Sequence, residues 1–343
     1  MKHISFIDFI KFPMAFLVVY AHAPGKLTMN YGEQCNTLLL SLQALNNFLV
    51  FLATVSMRGF FVISGFLFFR NIVKWDFEVI SKKIKKRCLL YIPSYLLWST
   101  LYVLLVCFLY HKGLFELFNE KGLLNIYVGF DNIDGLQIKT FPYLYPMWYV
   151  RDLIITFLIS PILYLIIRIS PWGLLVIFIF QIFVTIPTSA FFFFSIGIFL
   201  ALYGTSITPW LSGKYIKVIV FIITAFWIIT KIFRLTEWNA WEEDFLCSAV
   251  TMLAVFLLTK DLQLDYLNKF GKCSYFIFAY HPFFIEVYLK IYYTKLSTLS
   301  LDLTLFYELL YLIFPIPIYY VGYYLDKFIK KHSTLLGRYL CAG

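Results

Sequence analysis

The sequence predicts an all-α, polytopic membrane protein of about ten transmembrane helices with both termini in the cytoplasm. Three observations carry that prediction. Of 343 residues, 61% are hydrophobic and only 14% charged, with a mean hydropathy of +0.80; soluble domains hold about a quarter charged residues. Apolar runs of spanning length recur from one end of the chain to the other. Under the stated topology most of the 29 Lys and Arg fall on the inner side, among them Arg70, Lys74, Arg168, Lys214, Lys217, Lys269, Lys272, Lys330 and Lys331. That asymmetry obeys the positive-inside rule. The net charge of +10 therefore reflects topology and calls for no nucleic acid.

Residues 1–343 read as a single integral membrane domain, because no repeat, low-complexity tract or soluble domain interrupts them. The six cysteines are scattered, with no CxxC and no His at ligand spacing. This argues against a disulfide framework and against a metal site. The spans fall at approximately 4–23, 47–69, 88–110, 148–167, 172–189, 190–204, 215–234, 245–260, 273–292 and 303–325, with a turn near Pro187 separating the fifth from the sixth.

Span one carries Asp8, Lys11 and His22 in an otherwise apolar stretch. Lys11 and His22 lie eleven residues apart, about three turns and about 16 Å of rise, so they return to nearly the same face. Ionisable groups inside lipid mark a functional site, since each is costly unless it finds a partner or a polar cavity. Ala21-His22-Ala23 also has the form of a signal-peptidase site. Asp8 and the apolar residues 4–9 extend the segment to spanning length and favour a retained helix.

Span two holds Arg58, Gly59, Ser64 and Gly65. The small residues suit close helix approach, whereas Arg58 requires an anionic or polar partner. The next loop, before span three, contains Lys82, Lys83, Lys85, Lys86 and Arg87. Such a cluster anchors topology against anionic lipid, or receives the phosphates of a cytosolic donor. The outer loop 111–147 is the longest polar stretch and leads into Trp148, Arg151 and Asp152. Aromatics there fit an interfacial belt or a sugar-stacking surface. Adjacent Arg151 and Asp152 point about 100° apart on a helix, so they need not pair. Span nine contains Tyr280, His281 and Pro282. The proline frees backbone carbonyls, and His281 either satisfies that break or serves a site.

Taken together, these segments resemble the acyltransferase-3 family of integral membrane O-acyltransferases. Lys11, ten residues and then His22 is similar to that family's first-helix signature; Phe60-Phe61-Val62-Ile63-Ser64-Gly65-Phe66 resembles its second-helix block; Lys85-Lys86-Arg87 through Pro93 resembles its basic loop; Trp148-Tyr149-Val150-Arg151-Asp152-Leu153 and Tyr280-His281-Pro282 resemble its later blocks. They stand in family order. The chain departs from the pattern in carrying Lys11 where arginine is common, a compact charge in place of a bidentate fork, and in a Lys-rich loop without R-x-x-R.

The resemblance implies transfer of an acyl group, most often acetyl, from cytosolic acyl-CoA to a hydroxyl of a cell-surface glycan or related acceptor, with no tightly bound cofactor. It places the protein in the cell membrane, the inner one if there are two. His22 is then the candidate general base, since imidazole is tuned for that work near neutral pH; an acyl-histidine is the runner-up. Lys11 would engage the donor and Asp8 restrain Lys11. Lys82, Lys83, Lys85, Lys86 and Arg87 would bind the donor's phosphates. Arg58, Ser64, Gly65, Trp148, Arg151, Asp152, Tyr280 and His281 would line the substrate cavity. Two other classes compete: a transporter or flippase, in which the buried charges form a relay, and an inactive receptor or scaffold. The absence of paired broken segments in the two halves argues against the transporter.

Overall fold

A computed structural model describes residues 5–22, 37–72, 75–133, 136–139, 141–183, 189–211, 213–233, 241–259, 267–291, 294 and 313–341. Three long helices open the chain: α1 (Ser5–His22), α2 (Thr37–Phe69) and α3 (Phe77–Tyr110). After α3 the chain forms α4 (Leu114–Lys121), α5 (Leu123–Tyr127) and a two-stranded antiparallel hairpin, β1 (Phe130–Ile133) with β2 (Leu136–Lys139). A 3-10 turn, Tyr145–Met147, leads into α6 (Trp148–Ile169). Then come α7 (Gly173–Phe183), α8 (Ala190–Leu211), α9 (Lys214–Phe233), α10 (Trp241–Thr259), α11 (Asn268–Gly271), α12 (Ser274–Ile291), α13 (Pro315–His332) and α14 (Thr334–Leu340). The protein is helical as expected, and the hairpin is the one addition among the described residues.

Four described segments are long and apolar enough to cross a membrane: Asn47–Phe69, Phe77–Tyr110, Tyr145–Ile169 and Ala190–Ile207. Gly173–Phe183 and Leu246–Leu258 are shorter apolar helices. The turn at Pro187 and the first ten residues of the expected last span, 303–312, lie outside the described residues.

One boundary differs in a way that matters for function. The stretch from Lys82 to Arg87 is not a loop but the opening turns of α3. Asp76 starts the helix by accepting from the Glu78 and Val79 amides at 2.9 and 3.1 Å, an N-cap that replaces lost backbone partners. Glu78 then pairs with Lys82 one turn on, at 2.5 Å. Lys83, Ile84, Lys85, Lys86 and Arg87 follow without a helix breaker, and α3 carries on through Pro93 into the span, so the basic face and the span belong to one helix.

The helices close on an aromatic core in which Phe61, Phe69, Tyr164, Phe193 and Phe194 are fully buried. Here α2 and α8 touch backbone to backbone. A Cβ on Gly65 would sit 2.1 Å from the Phe194 carbonyl oxygen, and one on Gly197 would sit 2.2 Å from that of Val62. Small residues allow such crossings, which gain dispersion contacts that lipid cannot supply. Leu104, Phe108, Leu158, Ile162, Ile222 and Phe226 point outward and are exposed. Apolar surface of that extent suits a hydrocarbon solvent.

Candidate active site

Helix α1 ends at His22, and the end faces inward. The His22 ring lies 5.2 Å from Tyr145, edge to face at 69°, and 5.3 Å from His281, stacked at 30°. His281 sits within α12, ten residues before Ile291, or about 15 Å of rise below that end of the helix. The two imidazoles thus meet inside the bundle, from opposite ends of the sequence.

His281 is fully buried. Its Nδ1 lies 3.1 Å from the Ile277 carbonyl oxygen. A carbonyl can only accept, so Nδ1 carries the proton, and in the neutral ring Nε2 is a bare lone pair. That Nε2 is buried with no hydrogen-bond partner among the described residues. The expectation that this histidine relieves the break at Pro282 is therefore half of the account: one nitrogen serves the backbone and the other does not.

Arg151 and Asp152 are both buried and pair, which their angular separation on the helix left open. Arg151 Nε donates to Asp152 Oδ1 at 2.9 Å. They stand in the first turns of α6, where the long guanidinium stem can curl back onto its neighbour. Arg151 Nη1 also donates to the Val128 carbonyl at 2.5 Å, and the Tyr95 hydroxyl donates to the Tyr127 carbonyl. These bonds tie the end of α5 to α3 and α6, so Arg151 fastens the segment between those helices onto α6.

Arg58 is buried and turned toward α8 and α10, donating to Ser248 Oγ at 2.5 Å with its guanidinium 5.5 Å from the Phe193 ring centre. Gly65 is absorbed by the α2–α8 crossing. Trp148 packs on Phe61 and Phe141, and Tyr280 stacks on Phe276. Lys11 and Asp8 pair at 3.3 Å, at the opposite end of α1 from His22. Gly271 holds that end close: a Cβ there would lie 1.7 Å from the Asp8 carbonyl oxygen.

Between the basic start of α3 and the histidines runs a file of hydroxyls and rings that sequence spacing does not reveal. Tyr91 follows Arg87 by one turn and lies 5.7 Å from Tyr275. Tyr275 pairs with Ser94 at 2.6 Å. Tyr149 reaches Ser64 at 3.5 Å and packs 5.4 Å from Phe278, itself 6.2 Å from His281. Of the basic residues, Lys83 folds back to donate to the Phe68 carbonyl at 2.7 Å, closing the end of α2. Lys85 and Lys86 are exposed on α3. Among the described residues no three His, Cys, Asp or Glu side chains cluster as a metal site.

A bundle of apolar helices enclosing a pair of imidazoles is the architecture of a membrane-embedded enzyme. The family profile described as Acyltransferase domain, Acyl_transf_3, matches residues 4–341, nearly the whole chain, and the protein belongs to that family of membrane acyltransferases. Comparison with curated proteins gives no match, and comparison with solved structures gives none.

Proposed function

We propose that this acyltransferase moves an acetyl or similar acyl group from cytosolic acyl-CoA to a hydroxyl of a cell-surface glycan or related acceptor, working in the cell membrane with both termini inside and about ten spans. No tightly bound cofactor is required. The observation that carries the reading is the inward-facing His22, stacked on His281 within the bundle. A hydroxyl is a poor nucleophile until a base takes its proton, and a positioned imidazole does this at neutral pH.

The donor's phosphates bind at Lys82, Lys85, Lys86 and Arg87, and its pantetheine arm follows the file from Tyr91 to Tyr149. Two features support this route: the exposed ammonium groups on the opening turns of α3, and the hydroxyls that line the way from there to the histidines. Lys11, restrained by Asp8, lies too far along α1 to touch the thioester at His22, and serves the donor's cytosolic half. Tyr145 and Trp148 lie at the outer side of His22, where the acceptor enters. A second reading, with His22 as nucleophile and a transient acyl-histidine, gains support from the adjacent His281, which gives each half of such a reaction its own imidazole.

The test is release of free CoA thiol from acetyl-CoA by the purified protein supplied with envelope glycan. His22→Ala is expected to abolish release while the protein keeps its melting temperature. Undiminished release would remove His22 from the mechanism. Movement of glycan or lipid precursor across the bilayer without CoA release would move the protein to the flippase reading instead.

A further inference from the structure

The acyl-histidine reading gives His281 an imidazole's place in the reaction without saying which atom acts. His281 Nε2 is an acceptor only, because Ile277 fixes the proton on Nδ1. It is enclosed, and no described residue donates to it. A buried polar atom left without a partner is costly, so an orphan of this kind is retained where something outside the chain fills it. The ring it belongs to lies face to face with His22 at 5.3 Å. That stacked arrangement does not aim one imidazole's N–H at the other's lone pair. The two rings are neighbours, and the His281 Nε2 lone pair is not spent on His22.

We infer that His281 is a second catalytic residue, whose Nε2 takes the proton of the acceptor hydroxyl while His22 carries the acyl group. The inference rests on the acyltransferase reading and selects its covalent form. In the first half, His22 attacks the thioester carbonyl; the C–N bond forms, the C–S bond breaks, and the electron pair leaves on sulfur as CoA thiolate. In the second half, the acceptor oxygen attacks the acyl carbon as its O–H proton passes to His281 Nε2. The C–O bond forms, the C–N bond breaks, and His22 is restored. The proton on His281 is then lost to balance the one the thiolate gains, so thioester and alcohol become ester and thiol.

Two properties of the site fit this division. The hydrogen bond from Nδ1 to the Ile277 carbonyl orients the ring and fixes Nε2 as the accepting nitrogen, the part that a carboxylate or carbonyl plays behind other catalytic histidines. The proton is also held only transiently, because an imidazolium at a fully buried site is costly to keep.

The experiment uses full-length protein in membranes of its own cell, which hold its acceptor, with acetyl-CoA as the probe. His281→Phe keeps a ring and removes the lone pair; His281→Gln keeps polarity. Both variants are expected to lose acetyl transfer to membrane glycan by about 10²–10⁴-fold, yet still release a single equivalent of CoA and retain an acetyl group on the His22 peptide by mass spectrometry. His22→Ala is expected to lose both signals. Wild-type transfer by His281→Phe would overturn the inference, as would loss of the first equivalent of CoA from a variant that melts like wild type. If wild-type membranes release no CoA from acetyl-CoA, the acyl-CoA reading fails and takes the inference with it.

Discussion

Individual residues separate into those that bind the fold and those left open for a ligand. Lys83 and Lys85 are two positions apart on α3, yet Lys83 donates to the Phe68 carbonyl whereas Lys85 is exposed. Lys83→Met is therefore expected to lower the melting temperature and leave the KM for acetyl-CoA unchanged. Replacing Lys85 and Lys86 by Ala is expected to raise that KM several-fold at unchanged stability, with the difference shrinking at high salt as screening removes the attraction. Steady-state kinetics beside thermal melts in detergent decide both. Equal KM for wild type and the double variant would locate the donor's phosphates elsewhere. Arg58 belongs to the bound class, satisfied by Ser248 and the Phe193 ring, whereas Arg151 grips Asp152 and Val128 through Nε and Nη1 and keeps a buried Nη2 with no partner among the described residues. The sequence marks such residues as unusual in lipid. It cannot tell a guanidinium that grips the protein from one that waits for substrate, because the deciding partner is a carbonyl or hydroxyl in a distant element.

At the scale of elements, much was legible and the failures have physical reasons. Apolar length located the helices, because hydrocarbon imposes the same demand on every span. The basic stretch was misread as a loop because charge density suggests solvent, whereas the Asp76 cap and helix-forming Lys and Glu extend α3 through it. The pairing of His22 with His281, and of Ser64 with Tyr149, joins elements that no local spacing relates. The small residues of α2 were readable as packing positions, and Gly65 makes the sharpest case. Gly65→Ala puts a methyl against the Phe194 backbone oxygen, which cannot yield as a side chain would. Destabilisation of about 1–3 kcal/mol is expected, seen as a lower melting temperature, and Gly197→Ala should match it from the other helix. A neutral effect at both positions would mean that α2 and α8 do not cross so closely.

Across the whole molecule, the proposed route runs from the basic start of α3 to the paired imidazoles inside the bundle. A file of tyrosine and serine hydroxyls leads from that basic end toward the imidazoles, and Arg151 fastens the segment between α3 and α6 onto α6. The central claim is that acyl donor enters from that basic end and gives up its acyl group at His22. The most direct measurement reconstitutes the protein in one orientation in sealed vesicles and supplies acetyl-CoA on one side at a time, with acceptor present on both, reading free CoA thiol. Release is expected only when the donor is on the side of Lys85 and Lys86, and not at all from His22→Ala. Release from the opposite side, or release that survives loss of the His22 imidazole, would contradict the account.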